Sequence, residues 1–457
     1  MTTSVKHEQF TSKWGFVLAA VGGAVGLGNI WRFPFMAGEN GGGAFIFLYF
    51  IFILCFGVPA VIAMIVIGRR GGKSPVASTH KLALAEKRSA NWKYLGWLAL
   101  TTAFLALSFF SMVSGWIVVY LVKSAAGQFT GITPMQSLQA FAEVKADAGG
   151  MVFWHALFML CTIGIVARGV RAGVEKAVKF MLPALFIILL ILVVYAAITA
   201  DFLKAVEFMF LPDFSKIDRQ VVLLALGQAF FSLSVGGGGI IAYGAYLNKR
   251  ASISAMAMLI AGANVSVDML AGLTIFPIVF AYELKAAAGP GLIFETLPIA
   301  FGQMPGGHFF GTLFFILMFF AALSTSISML ESIVARLIEK PNASRPKMAL
   351  LAGGLAWFVG LGSVFSFNIW ADFTPLSFIA NFKDATIFRI IDFITVNVLV
   401  MISAFLITIF VGWVMSEQAT RNELAMKNEA VFRAWRFIMR YLAPIAIASI
   451  FIFSFVG

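Results

Sequence analysis

Charge is scarce in this chain: of its 457 residues, 12% are charged while 61% are hydrophobic. No soluble core of this size needs that much apolar surface, so a water-soluble domain is excluded and a polytopic membrane protein is indicated. Cysteine is nearly absent, and Cys55 and Cys161 both fall inside apolar stretches, which leaves no disulfide framework and no thiolate spacing for a metal. The four histidines, His7, His80, His155 and His308, are scattered. A metal-dependent enzyme inside the membrane therefore lacks ligands. No clustered nucleophile and base points to any other enzyme, and no organic cofactor is expected.

What is abundant is apolar sequence. Runs long enough to cross a ~30 Å hydrocarbon layer recur at about 12–36, 43–68, 96–122, 151–167, 175–200, 221–246, 253–282, 309–338, 348–368, 386–415 and 434–455, which makes eleven spans. The first is too long and too rich in glycine for a cleaved signal peptide. A formal net charge of +12 raises the question of nucleic acid, but placement argues against it. With the N-terminus inside, the inner segments hold 24 of the 33 lysines and arginines, notably Arg69 to Lys93, Arg168 to Lys179, Arg336 to Lys347 and Arg421 to Arg440. Basic residues favour the cytoplasmic ends of spans, so the expected orientation is N-terminus cytoplasmic and C-terminus outside.

Two spans are unlike the rest. Gly22-Gly23-Ala24-Val25-Gly26-Leu27-Gly28-Asn29-Ile30-Trp31-Arg32-Phe33-Pro34 interrupts the first, and Ser232-Leu233-Ser234-Val235-Gly236-Gly237-Gly238-Gly239 interrupts the sixth. Backbone freed by a broken helix is tolerated at membrane depth only where it is buried in protein or lines a cavity, so both breaks read as site-forming. An offset of five spans inverts the second unit relative to the first. Gly-broken spans in corresponding halves are the sequence mark of a secondary transporter. The fold expected is all-α, a 5+5 inverted repeat with broken first and sixth spans and an eleventh span added. Its parts are a cytoplasmic segment 1–11, a first repeat 12–200, a second repeat 201–415, a cytoplasmic linker 416–433 and the last span 434–457. Of the longer outer loops, 124–150 and 201–220 read as solvated connectors, and 284–308, with Gly289-Pro290-Gly291, as a re-entrant helical lid.

Val25 to Pro34, Glu39-Asn40-Gly41-Gly42-Gly43-Ala44-Phe45, Gly227-Gln228-Ala229-Phe230-Phe231-Ser232-Leu233-Ser234 and Leu323-Ser324-Thr325-Ser326-Ile327 occur in the order and spacing of the neurotransmitter:sodium symporter family, which the chain resembles from about Phe10 to Trp413. Eleven spans look like the short bacterial amino-acid transporters of that family. The resemblance implies a sodium-coupled symporter of the bacterial inner membrane, importing an amino acid or related amine by alternating access, surrounded by lipid and with no nucleic-acid partner.

Sodium prefers hard oxygen ligands, which carbonyls, hydroxyls and amides supply without a buried net charge. By resemblance, two sodium ions are expected. The first would be held by the Ala24 and Ser232 carbonyls, the Ser232 hydroxyl, the Asn29 and Asn264 amides and the substrate's carboxylate; the second by carbonyls of Gly22, Val25 and Ala321 with the Ser324 and Thr325 hydroxyls. Any one such hydroxyl also suits ordinary helix–helix hydrogen bonding. Asp268 stands out because an ionisable side chain within a span is costly and functional by default. Chloride-dependent members carry a serine at its aligned position, beside Tyr49, Gln228 and Ser232. Asp268 is therefore expected to replace chloride, removing any chloride requirement, and to carry a proton on the empty return step.

The substrate pocket implied by the resemblance uses Ala24, Leu27, Gly28, Ala106, Phe110, Phe231, Ser232, Ser234, Gly237, Thr325 and Met329. Broken-helix N–H groups at Leu27 and Gly28 suit a carboxylate. Where the family's amino-acid carriers use a tyrosine, Phe110 stands here and cannot donate. Small Ala106 and Gly237 beside Phe and Met suggest a large apolar or aromatic amino acid; the missing hydroxyl leaves open an amine or unusual zwitterion. Arg32 and Asp392 match the outer charge pair. At the inner gate His7 and Phe10 face Tyr246 and Glu339, with Lys6 as an alternative cation, and Glu331 lines the inner exit.

Overall fold

The computed structural model describes residues 10–283 and 291–456, and every regular element among them is helical. Among the described residues, nine helices are long and apolar enough to cross a membrane: Gly43–Gly71, Ala90–Ala125, Ala148–Ala167, Val170–Thr199, Ile253–Ala281, Gly307–Leu337, Arg345–Phe365, Ile387–Val414 and Glu429–Phe455. A further crossing is a bent pair, Lys13–Ala24 and Gly28–Glu39, turning by 56°. The remaining expected crossing, around 221–246, consists of Arg219–Ser232 and Gly238–Ala245 on either side of Leu233 to Gly237. Neither half approaches the ~20 residues that a crossing requires. Numbered in chain order, these are spans 1 to 11, with spans 1 and 6 broken.

The chemistry of each break explains its shape. In a continuous helix the Gly26 N–H would bond the Gly22 carbonyl. Here it donates to Asn29 Oδ1 at 2.9 Å, so the Gly22 carbonyl is free for another span. Span 6 ends its first half at Ser232, and the chain then turns through Ser234 at φ 50° and Gly236 at φ 97°. A side chain at Gly236 would sit 2.5 Å from the Val400 carbonyl, and the Gly236 carbonyl accepts from Ser403 Oγ at 2.7 Å, which ties the break to span 10.

Spans 2 and 6 touch through bare backbone. A Cβ on Gly68 would lie 2.1 Å from the Ile241 carbonyl and 3.0 Å from the Gly244 Cα, so only glycine allows this approach.

Two loop expectations change. The stretch 124–150, read as a solvated connector, contains the helix Pro134–Ala146, started by a capping box between Thr133 and Gln136 and anchored by buried Phe141. The stretch 201–220 contains the helix Phe202–Phe210, whose Ala205 and Met209 are buried. The linker expected over 416–433, charged and helix-compatible from Gln418 to Glu429, contains the helix Glu417–Leu424, and span 11 begins at Glu429, where Phe432 and Trp435 pack inward. Glu423 of that linker receives the Arg69 Nε at 2.6 Å. The putting-together of the lid expected over 284–308 falls partly outside the described residues; from Leu292 to Gln303 it is helical, and the Phe294 carbonyl accepts from Tyr120 at 2.9 Å.

Candidate functional site

Both breaks open onto one cavity of about 510 Å³. Every residue expected to form the substrate pocket lines it: Ala24, Leu27 and Gly28 from span 1, Ala106 and Phe110 from span 3, Phe231, Ser232, Ser234 and Gly237 from span 6, and Thr325 and Met329 from span 8. Phe231 lies against Gly28, whose added Cβ would be 2.5 Å from the ring, and Arg32 carries its guanidinium 4.1 Å from the ring centroid. The aromatic is thus held between bare backbone and a cation. Ser234 Oγ donates to the Gly23 carbonyl at 3.1 Å, linking the two breaks directly.

Beside the cavity is a fully enclosed polar cluster. Asp268 has no exposed surface, and its carboxylate accepts from Tyr49 OH at 2.5 Å, Asn29 Nδ2 at 2.8 Å, Asn264 Nδ2 at 3.2 Å and Ser232 Oγ at 3.4 Å. Asn29 Nδ2 also reaches Asn264 Oδ1 at 2.9 Å and Ser232 Oγ at 3.1 Å, and Tyr49 OH lies 2.8 Å from Ser232 Oγ. All its carboxylate partners are neutral donors; no lysine, arginine or histidine among the described residues bonds to it. A charge at membrane depth costs about 2.5–3.5 kcal/mol on insertion scales, so a carboxylate kept without a cation calls for a function. Gln228 is buried nearby in sequence, yet among the described residues neither its Oε1 nor its Nε2 has a hydrogen-bond partner, so it stands outside the bonded cluster.

A second group of oxygens joins spans 1 and 8. Thr325 Oγ1 lies 3.3 Å from the Gly22 carbonyl, 3.3 Å from the Val25 carbonyl and 3.1 Å from the Ala321 carbonyl, and Ser324 Oγ donates to the Ala321 carbonyl at 3.0 Å. Close approach depends on glycine: an added Cβ would be 3.0 Å from the Ser324 Cβ at Gly22 and 2.7 Å from Thr325 Oγ1 at Gly26. The donor set is wholly neutral and hard, which fits an alkali cation better than a transition metal. No group of three or more His, Cys, Asp or Glu suited to a metal occurs among the described residues.

The two ends of the bundle differ. Arg32 and Asp392 both line the cavity but are not ion-paired. At the basic end, Phe10 is buried and meets Tyr243 at 5.8 Å and Tyr246 at 6.0 Å between ring centroids. His7 and Lys6 lie outside the described residues. Glu339 does not meet Tyr246: it accepts from Ser74 N and Ser74 Oγ, each at 2.8 Å, and from Arg336 at 2.8 Å. Tyr246 instead donates to Glu331 Oε1 at 2.9 Å, and Arg345 grips Glu331 with two bonds of 2.7 and 2.8 Å. Glu331, expected to line an exit path, is therefore fully buried and part of a seal.

A profile of the sodium:neurotransmitter symporter family matches residues 7–145 and 128–457. The chain belongs to this family. Among relatives of the symporter, an uncharacterized sodium-dependent transporter of Bacillus subtilis, YhdH, is 35% identical over 98% of this chain and 97% of its own. An uncharacterized sodium-dependent transporter of Haemophilus influenzae is 32% identical over 99% of both. The crystal structure of MhsT in complex with L-phenylalanine superposes with a TM-score of 0.88 at 37% identity, covering 98% of this chain and 100% of that one. The symporter is thus a sodium-dependent, multi-pass transporter with the 5+5 fold and an added eleventh span. Its cavity also includes Thr102, Ser328, Thr395 and Asn397, which sequence reasoning passed over. The only signal was polarity inside an apolar span, which helix–helix bonding explains equally well.

Proposed function

We propose that this symporter imports a large apolar or aromatic amino acid together with two sodium ions, without chloride, and returns a proton. The observation that carries the reading is the buried Asp268 cluster adjoining the cavity at Ser232 and Asn29. In it, the first sodium is held by the Ala24 and Ser232 carbonyls, the Ser232 hydroxyl and the Asn29 and Asn264 amides, and the substrate's carboxylate completes the set. Ion and substrate then bind as one unit. The second sodium is held by the Gly22, Val25 and Ala321 carbonyls with Ser324 and Thr325, so its presence fastens span 1 to span 8. Asp268 supplies the fixed negative charge that balances the two cations. On the empty return step it takes a proton, since a bare carboxylate there would have no cation to face.

Size supports the substrate class: a 510 Å³ cavity with Ala106 and Gly237 on its walls leaves room for an aromatic side chain between Phe110, Phe231 and Met329. The relative MhsT has been crystallised with phenylalanine, which agrees with that choice. Phe110 favours a second reading, a non-standard amine or zwitterion, because it lines the cavity without a hydroxyl to offer a carboxylate. The resident membrane in this reading is the bacterial inner membrane, with the N-terminus cytoplasmic and the C-terminus outside.

The test is uptake into liposomes containing purified protein, using labelled tryptophan, tyrosine, leucine, glycine, taurine and a monoamine. Accumulation of a large amino acid that requires sodium, persists when gluconate replaces chloride, and drives proton efflux supports the reading. Sodium-dependent uptake of taurine or the monoamine alone moves the assignment to the second reading. Binding without transport of any member points to a sensor.

A further inference from the structure

A second hollow lies at the basic end of span 3, one helical turn from the central cavity: Thr102 of the cavity donates to the carbonyl of Leu98, which lines the hollow. It is an open groove of about 430 Å³ lined by Ser89, Asn91, Trp92, Tyr94, Leu95, Leu98 and Leu406. The volume falls in the range of small-molecule sites, roughly 300–1,000 Å³. Its composition is graded. Leu95, Leu98 and Leu406 form an apolar floor, whereas Ser89 and Asn91 are exposed and polar. Span 10 supplies the far wall, where the Trp92 ring meets Phe410 at 5.3 Å.

Charge surrounds the polar edge. Lys87 and Arg88 directly precede Ser89, both are exposed, and Lys93 follows Trp92. Among the described residues none of these three cations has a carboxylate within ion-pair distance; Lys93 Nζ lies 5.3 Å from the Tyr94 ring centroid. Trp92, Tyr94 and Trp97 also form the kind of aromatic belt found at membrane–water boundaries, with Tyr94 61% and Trp97 43% exposed. An apolar floor, a polar edge and unpaired cations beside it match one ligand chemistry.

We propose that this hollow is a binding site for an anionic phospholipid. Its phosphate is held by Arg88 and Lys93 with Lys87 nearby, its glycerol ester region lies at Ser89 and Asn91, and an acyl chain runs over Leu95, Leu98 and Leu406. A free phosphate would leave the leucine floor uncovered, and a zwitterionic lipid would leave the cations uncompensated. The site sits between spans 3 and 10, both of which also line the substrate cavity, through Phe110 and Asn397. A lipid seated there braces the inner ends of two cavity walls.

The test weighs purified full-length protein by native mass spectrometry after adding phosphatidylglycerol or phosphatidylcholine of identical chains, and maps a photoactivatable phosphatidylglycerol to its labelled peptides. The expected result is one phosphatidylglycerol retained in preference to phosphatidylcholine, with labels on the segment containing Leu95 and Leu98. Arg88→Glu with Lys93→Glu should weaken retention at least about fivefold for each charge reversed, the size expected for a basic residue at a lipid surface. Leu98→Trp, which fills the floor while keeping the cations, should lower retention of both lipids. Equal retention of the two lipids, labels placed elsewhere, or displacement of the lipid by millimolar inorganic phosphate would each overturn the proposal. Because the readout is mass and needs no substrate, it stands or fails separately from the transport assay; an unchanged gel-filtration profile shows that each variant is folded.

Discussion

Asp268 and Phe110 are the two residues whose side chains depart most from what their surroundings would otherwise select. The carboxylate of Asp268 is the shared acceptor of Tyr49, Asn29, Asn264 and Ser232. An Asp268→Ser substitution leaves those donors without their acceptor, at about 1–3 kcal/mol for each one left unsatisfied. Uptake by this variant is expected to fall at least about tenfold in gluconate medium, since ~1.4 kcal/mol is a factor of ten, and to recover when chloride is added. Wild-type rates should be the same in both media. Initial rates in the two salts decide it, and a variant indifferent to chloride removes Asp268 from the role of resident anion. Phe110→Tyr places a hydroxyl on the cavity wall. If the substrate is an α-amino acid, competition binding should show tighter uptake of it by roughly fivefold, the worth of one hydrogen bond of ~1 kcal/mol. No change in affinity or selectivity means that this position does not define the substrate.

At the scale of elements, the break in span 1 does two things at once. It frees carbonyls, and it brings glycine faces close enough to span 8 for Thr325 to reach them. Gly26→Ala puts a methyl 2.7 Å from Thr325 Oγ1, so the hydroxyl or the span that carries it must shift from its place beside the span 1 carbonyls. Overpacking of this kind costs about 1–3 kcal/mol. A titration of sodium against substrate binding should then shift to higher sodium by about tenfold, with the protein still folded by circular dichroism. Unshifted sodium affinity would mean that this seam is packing and nothing more. Both breaks were legible in the sequence because glycines, an amide and an arginine have no ordinary place in an apolar run. The helix Pro134–Ala146 was legible too, in Thr133-Pro134-Met135-Gln136, but a loop reading hid the capping box. Glu331 with Arg345 could not be read in advance: the residues are separated by the turn between spans 8 and 9, and only the packed fold sets their bidentate contact. The same holds for Thr395 and Asn397, whose role depends on which face of span 10 meets the cavity.

For the molecule as a whole, the proposed orientation, read from the basic segments and eleven crossings, puts the termini on opposite sides. In a variant lacking Cys55 and Cys161, a single cysteine added after Gly457 should react with a membrane-impermeant maleimide in intact cells, and one placed in the exposed stretch of Lys87 and Arg88 should react only after lysis. The opposite pattern inverts the orientation. The conformation described has its basic end held by Phe10 against Tyr243 and Tyr246 and by Glu331 against Arg345, while Arg32 and Asp392 both line the cavity without forming an ion pair. In the proposed alternating-access cycle, this state would take substrate from the side of Arg32 and Asp392.

The contact of Gly68 with Gly244 sets how faithfully such motion is relayed. Side chains at an interface act as cushions: they change rotamer, absorb a displacement and pass on only part of it. Main chain against main chain has no such slack. A shift of the second half of span 6 would therefore carry span 2 with it, and a substitution that pries the two backbones apart would loosen that coupling.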